Sequence, residues 1–358
     1  MAPGSAVTPL HVSAGALKRF HILLPLALLA GLVSIVVGVS VGVDLGRGEV
    51  LRVLGHHLSF GAWWTPEATA DRIVWQLRMP RVLLALLVGG GLSIIGAAMQ
   101  TLVRNPLAEP YILGISSGAS AGASLFYLGF LPPLISKALS MPMAAFLGGL
   151  MAISIVYVVA RTQGPRLSVA RLLLAGVAMA ALMASITSFI TLSSPDPDKL
   201  RAVLFWLLGS LHTATWSALP LPAIVTLLGL FAMLVLARPL DAMLMGDEPA
   251  ANLGVPVEVI KRILILLAAL VTGVLVAVSG AIGFVGLIIP HAVRSIVGVT
   301  HRRLLPVCFV AGALFLLWAD LVARALLPSE QLPVGIITAI CGVPFFLFLL
   351  RRNEYGYG

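Results

Sequence analysis

The sequence predicts an all-α integral membrane protein of about ten transmembrane helices. Three observations carry this prediction. The 358 residues are 59% hydrophobic and only 10% charged, with a mean hydropathy of +1.06. No soluble domain has that balance, so the solvent is a bilayer. The apolar residues fall into runs long enough to cross ~30 Å of hydrocarbon. The charged residues sit in small groups between those runs, apart from one polar island, Arg238 to Arg262. The net charge is +9, but basic residues scattered between apolar runs read as topology determinants, and no nucleic-acid partner is expected.

The spans follow in order. Ile22–Val43 comes after Lys18 and Arg19 and is too long for a signal-peptide core, so it reads as an uncleaved helix. Val82–Val103 is the second span, Pro110–Ser136 contains a third, Ala138–Ala160 is the fourth and Leu172–Pro195 holds the fifth. Ala202–Ala237 is too long for one crossing and is broken by Gly209, Ser210 and His212. It reads as an interfacial helix near Lys199–Leu208 and a sixth span near Ser217–Ala237. Ile263–Val293 carries the breakers Gly273, Gly280, Gly283, Gly286 and Pro290, and divides into a full seventh span and a short eighth. Leu304–Leu326 is the ninth, with Asp320 and Arg324 near its far end, and Gln331–Leu350 is the tenth.

Basic pairs at both ends, Lys18-Arg19 and Arg351-Arg352, read as cytoplasmic and require an even number of spans. Ten satisfies that and places more Lys and Arg inside than outside. Residues 1–21 then form a cytoplasmic segment, 22–350 a single transmembrane domain, and 351–358 a cytoplasmic tail. The island also lies inside.

The island mixes signs, with Asp241, Asp247, Glu248, Glu258, Lys261 and Arg262, and keeps apolar residues at helical spacing. It predicts two short amphipathic helices joined near Gly254, Val255 and Pro256. Gly254 is expected to allow the reversal, and Asp247 and Glu248 to occupy a first helical turn where negative charge is favourable. A surface where a soluble partner docks and an ordinary cytoplasmic loop are both compatible with this pattern. At the outer side, Arg72, Arg78, Arg81 and Arg324 cluster. Arg78 and Arg81 share a helix face if Pro80 lies in the first turn. They are either snorkelling arginines, with Asp320 and Arg324 an i,i+4 pair, or a basic rim that receives an acidic partner.

Other motifs read as structural. Gly114, Gly118 and Gly122 repeat every fourth residue, which lets helix backbones approach closely. The same stretch matches the G-x-S-x-G nucleophile pattern around Ser116, but no strand is expected before it. Cys308 and Cys341 read as small core residues. His56 and His57 sit in an external loop, and His291 beside Pro290; none is expected to bind a metal, and no catalytic residue is identified. No Gly-Lys dipeptide occurs, so the chain has no phosphate-binding loop and no ATPase site of its own. Only Asp320 and Arg324 lie within a span, both near its end, which argues against an ion-coupled secondary carrier.

Several long motifs carry a resemblance: WQLRMPRVLLALLVGGGLSIIGAAMQ from Trp75, RNPLAEPYILGISSGAS, RLLLAGVA, FWLLGSL, GDEPAANLGV, SGAIGFVGLIIPHAVR followed by HRRLLP, then ADLVAR and LPVGIITAICGVPFF. From about Trp75 to Arg352 the chain resembles the FecCD-like permease subunits of ABC importers for cobalamin, haem and ferric siderophores. The resemblance implies the type II importer permease fold in the bacterial inner membrane, surrounded by lipid, with both termini cytoplasmic. It implies a homodimer with the path at its interface, two separate ATPase subunits that use ATP, and one periplasmic binding protein. No permanently bound cofactor is implied.

The resemblance makes the island, about residues 240–261, the coupling helices that fit the ATPase, with Asp241, Gly246, Asp247, Glu248, Asn252, Leu253, Gly254 and Val255 as its residues. It makes Arg78, Arg81 and Arg324 the receivers of carboxylates on the binding protein, although Met79 stands where leucine is usual. It also implies that Gly176 and Ala180 face the path. Tyr111 with the SSGAS stretch leans the ligand toward an iron complex, and His212 with His56 and His57 leans it toward haem; cobalamin is the alternative.

Overall fold

A computed structural model describes residues 14–41, 46–161, 167–326 and 332–351. Most of the N-terminal segment 1–21 and the tail beyond Arg351 lie outside the described residues. The described residues form helices and contain no strand beyond an isolated bridge, Arg161 to Leu167.

Helix α1 spans Ala14–Ser40. The segment that follows, which the sequence suggests is an external loop, contains two helices: α2 spans Arg47–Leu58 and α3 Ala68–Asp71. A π-helical stretch, Arg72–Arg78, leads into α4, Met79–Val103. Pro80 does sit in the first turn of α4, where its missing N–H costs nothing. Helix α5 spans Ile115–Tyr127, α6 Pro133–Ala138, α7 Met141–Ala160 and α8 Val169–Leu192. Helix α9, Pro197–Leu207, begins with an Asp196 cap that accepts the N–H groups of Asp198 and Lys199 and has proline at its first position. Helix α10 spans Pro220–Val235, α11 Ala237–Met243, α12 Asp247–Asn252, α13 Val257–Ser279, α14 Val285–Val297, α15 His301–Leu326 and α16 Val334–Arg351.

Seven of these helices are long and apolar enough to cross a bilayer, α14 and α16 are shorter apolar helices, and α5 completes the ten. The third span is therefore much shorter than the run Pro110–Ser136. At about 1.5 Å per residue its 13 residues reach ~20 Å. A 3-10 turn, Pro110–Leu113, precedes it, and Gly114 is the left-handed residue between the two, with φ +77°. Gly118 and Gly122 carry the close packing. A Cβ on Gly118 would lie 2.5 Å from the Gly148 carbonyl oxygen, and one on Gly122 2.2 Å from that of Ala144, both on α7. Gly176 packs in the same way, since its Cβ would meet the Ile112 carbonyl oxygen at 2.0 Å. It is buried inside the protomer against the 3-10 turn, so the space it leaves is filled by backbone, while its neighbour Ala180 is half-buried.

Helix α4 is the centre of the molecule, with 83% of its span buried, whereas α1 and α8 are mostly exposed and apolar, as lipid- or partner-facing helices must be. It packs closely against α15 and α14. Gly89 and Gly312 face each other so closely that a Cβ on Gly89 would lie 2.2 Å from the Gly312 carbonyl oxygen. Two backbones in such contact move as one body. The break between α13 and α14 falls where the glycines predict it. Its polar backbone is satisfied inside the protein, as hydrocarbon requires: the Tyr111 hydroxyl donates to the Ile282 carbonyl at 2.8 Å and accepts the Ile282 N–H at 3.1 Å.

Candidate docking and coupling sites

The arginines at the end of α4 and α15 that the charge pattern assigns to the outside, here called the outer end, converge. Arg81, one turn into α4, meets Asp320 on α15. Its Nε donates to Oδ1 and Oδ2 at 3.0 and 3.1 Å, and its Nη2 donates to Oδ1 at 2.8 Å. Arg324, one turn beyond Asp320, brings Nε to 3.1 Å from Oδ2. This is the i,i+4 pair expected from sequence, now shared with a third side chain. Two arginines also hold the end of α1: Arg324 Nη2 donates to the Gly38 carbonyl at 3.0 Å and Arg78 Nη1 to the Val39 carbonyl at 2.7 Å. These carbonyls belong to the last turn of α1, which lacks intrahelical partners and carries partial negative charge.

Three guanidinium groups thus surround one carboxylate and one helix C-terminus. Asp320 is fully buried, while the side chains of Arg81 and Arg324 are 12% and 14% exposed. The sequence-predicted rim exists, but it is partly sunk into the protein. Arg72 is exposed and takes no part in this cluster. A further neighbour was not legible in sequence: His212, in the loop between α9 and α10. Its Nδ1 lies 2.7 Å from the Ser210 Oγ, and burial first, then the charge of Arg81, hold its imidazole below the usual histidine range. His56 and His57, placed by sequence in a loop, lie on α2. His57 Nε2 is 2.6 Å from Asp71 Oδ1 and its ring stacks on Trp75 at 3.9 Å. Among the described residues no group of His, Cys, Asp and Glu is placed to hold a metal ion.

At the other end of the α4–α15 pair lies the island. It does contain two short helices, α11 and α12, but their joint is at Leu244–Gly246, where Gly246 has φ +116°, and not at Gly254. Gly254 instead links α12 to the long α13. It adopts φ +83°, its N–H bonds to the Ala251 carbonyl at 2.9 Å, and the Val255 N–H reaches back to that of Ala250 at 3.1 Å. This pair of bonds is a Schellman cap, which needs a left-handed residue at this position. The reason for the shift is local: Gly246-Asp247-Glu248-Pro249 is a helix start, with two acids and a proline in its first turn.

The charges of the island are mostly spent inside the protein. Asp241 Oδ1 accepts the His301 N–H at 2.8 Å, capping α15, and lies 2.6 Å from His301 Nδ1. The other ring nitrogen of His301 lies 2.8 Å from Thr101 Oγ1 on α4. Asp241 therefore ties α11 to the inner ends of α15 and α4 at once. Lys261, 2% exposed, donates to Asp247 Oδ2 at 2.6 Å and lies 3.5 Å from Glu258 Oε1. Glu258 in turn accepts the Leu167 N–H at 2.8 Å. Asp247 is in the expected first turn, but its carboxylate is engaged by Lys261. Glu248, Met245, Pro249, Asn252, Leu253 and Gly254 are exposed, as are Arg238 and Arg262 at the two ends of the island; Leu253 is 65% exposed and Val255 is half-buried. Sequence reasoning did not place His301, Thr101 or Met245 here.

A model of the FecCD transport family matches residues 18–352. The chain is 44% identical over 297 residues to the cobalamin import system permease protein BtuC of Halobacterium salinarum, covering 83% of this chain and 77% of that one. It is 42% identical over 302 residues to the hemin transport system permease protein HmuU of Yersinia pestis, covering 83% and 89% respectively. Among solved structures it resembles an inward-facing metal-chelate type ABC transporter with a TM-score of 0.79 and 29% identity, covering 92% of this chain and 99% of that one.

Proposed function

The chain belongs to the FecCD transport family and is a multi-pass permease of an ABC importer; from that premise we propose that it carries a metal chelate of the ferric siderophore or haem class across the bacterial inner membrane. It works as a homodimer, receives its cargo from a periplasmic binding protein, and is driven by two ATPase subunits below. Both termini are cytoplasmic. The permease itself performs no covalent step.

Docking takes place at the outer end, on Arg78, Arg81 and Arg324, whose charge exceeds that of the single Asp320. Coupling takes place through α11 and α12, whose exposed tip is apolar apart from Glu248 and Asn252. The observation that carries this reading is the two-ended geometry of α4 and α15. The same rigid pair bears the arginine cluster at one end and anchors α11 through His301 and Thr101 at the other. Movement of the ATPase is thereby delivered to helices that also meet the binding protein.

Cobalamin is the second reading, favoured by the similarity to a cobalamin permease. The tyrosine that leaned toward iron does not separate them, because the Tyr111 hydroxyl is occupied by Ile282. The test is uptake by the full complex in proteoliposomes with haem, a ferric siderophore and cobalamin each offered on the binding protein. ATP-dependent uptake of an iron complex is the expected result. Uptake of cobalamin alone selects the second reading, and ATP-independent uptake refutes the importer assembly.

A further inference from the structure

Asp320 is the anomaly of the outer end. It is a carboxylate with no exposed surface, in the last third of a membrane helix. Burying such a charge is costly unless partners offset it, and an apolar residue of similar size is often no worse for stability. Here the partners are Arg81 and Arg324, and the way they are held is informative. Asp320 engages Nε and Nη2 of Arg81 and Nε of Arg324, and the Gly38 carbonyl takes Nη2 of Arg324. Of the guanidinium nitrogens of Arg78, Arg81 and Arg324, only Arg324 Nε is buried without a hydrogen bond, and it faces Asp320. The Nη1 groups of Arg81 and Arg324 have no bonded partner among the described residues and keep contact with solvent. Each of these two arginines is fastened along one edge and open along the other.

We propose that Asp320 is a positioning residue for docking: it fixes one edge of Arg81 and of Arg324 so that their free edges form a preformed receptor for carboxylates of an acidic protein partner. A planar guanidinium holds each carboxylate along one edge, so the orientation of its free edge decides affinity. Side chains already fixed lose less freedom on binding. Without Asp320 the two cations would repel each other and Arg78, and would swing outward as free rotors. Encounter would not suffer, because the rim would be more positive, but the complex would be less well held. This inference rests on the docking reading above.

The experiment measures association and dissociation rates of the soluble binding protein on the full permease–ATPase complex in nanodiscs. Asp320→Asn, which keeps the shape and removes the charge, is expected to raise the dissociation rate about tenfold while association is unchanged or faster. Arg81→Glu serves as the control and should abolish binding. If Arg81→Glu abolishes binding and Asp320→Asn dissociates at the wild-type rate, Asp320 is only structural and the proposal falls. If Arg81→Glu binds normally in assembled complexes, the docking reading itself fails. Should Asp320→Asn not assemble, Asp320→Glu keeps the charge but shifts it by one methylene. It is expected to assemble and to dissociate measurably faster, and wild-type kinetics in that variant would overturn the proposal equally.

Discussion

The outer and inner ends of the α4–α15 pair handle charge in opposite ways. At the outer end Arg81 and Arg324 share the Asp320 carboxylate and Arg78 bonds only to the Val39 carbonyl, so positive charge is left over. At the inner end Lys261 has two acidic neighbours and Asp241 has His301, so the buried charges of the island are answered within the protein. The outer end therefore presents a field, and the inner end presents a shape: a capped turn with Met245, Pro249 and Leu253 exposed. A surplus field suits a partner that arrives by diffusion and leaves again. A neutralised, rigid shape suits a partner that stays and pushes.

The comparison breaks most severely if the outer charge is reversed. Replacing Arg78, Arg81 and Arg324 together by glutamate should abolish binding of the binding protein, read by equilibrium titration on assembled complexes. Because Arg78 and Arg324 also hold the end of α1, assembly must be checked in parallel by size exclusion. Unchanged affinity in an assembled complex would leave the outer end as a structural clasp alone.

Next in size is the shape of the inner end. Gly254→Val places a β-branched residue at φ +83°, at a cost on the order of 1–2 kcal/mol of backbone strain. A Cβ there meets nothing within 4 Å, so strain and not a clash is the cause, and the spans should fold normally. Transport and the stimulation of ATP hydrolysis by the loaded binding protein should fall about tenfold or more as the Schellman cap opens. Wild-type transport would mean that the island is an ordinary loop.

A smaller effect is expected at the joint. His301→Ala removes the side-chain link from Asp241 to Thr101, worth roughly 1–3 kcal/mol locally, but leaves the backbone cap on α15. Stimulated ATP hydrolysis should drop several-fold while binding at the outer end keeps its affinity. Loss of both together would show that the two ends are not separable.

Much of this was legible in the sequence, and the exceptions have physical causes. Spans announce themselves because hydrocarbon demands long uncharged runs, and Asp320 with Arg324 is legible because i,i+4 neighbours share a helix face. The bond from Arg81 to Asp320 joins helices far apart in sequence, as does that from Asp241 to His301, and no local pattern encodes it. The misplaced joint of the island is different. Gly246 and the acidic, proline-containing turn after it are visible in the sequence, but the glycine–proline pair at Gly254 and Pro256 carries an equally strong turn signal. Helix α2 was missed because its polar and apolar residues follow no membrane-length pattern.

Salt separates the two ends most directly. In one reconstituted complex, the affinity of the binding protein and the retention of the ATPase subunits would be measured from about 0.05 to about 0.5 M salt, a range that shortens the Debye length to a few ångströms. A charge-driven outer end and a shape-driven inner end predict that binding-protein affinity falls steeply while the ATPase subunits remain attached. Equal salt dependence at both ends, or salt-insensitive docking at the outer end, would contradict the account.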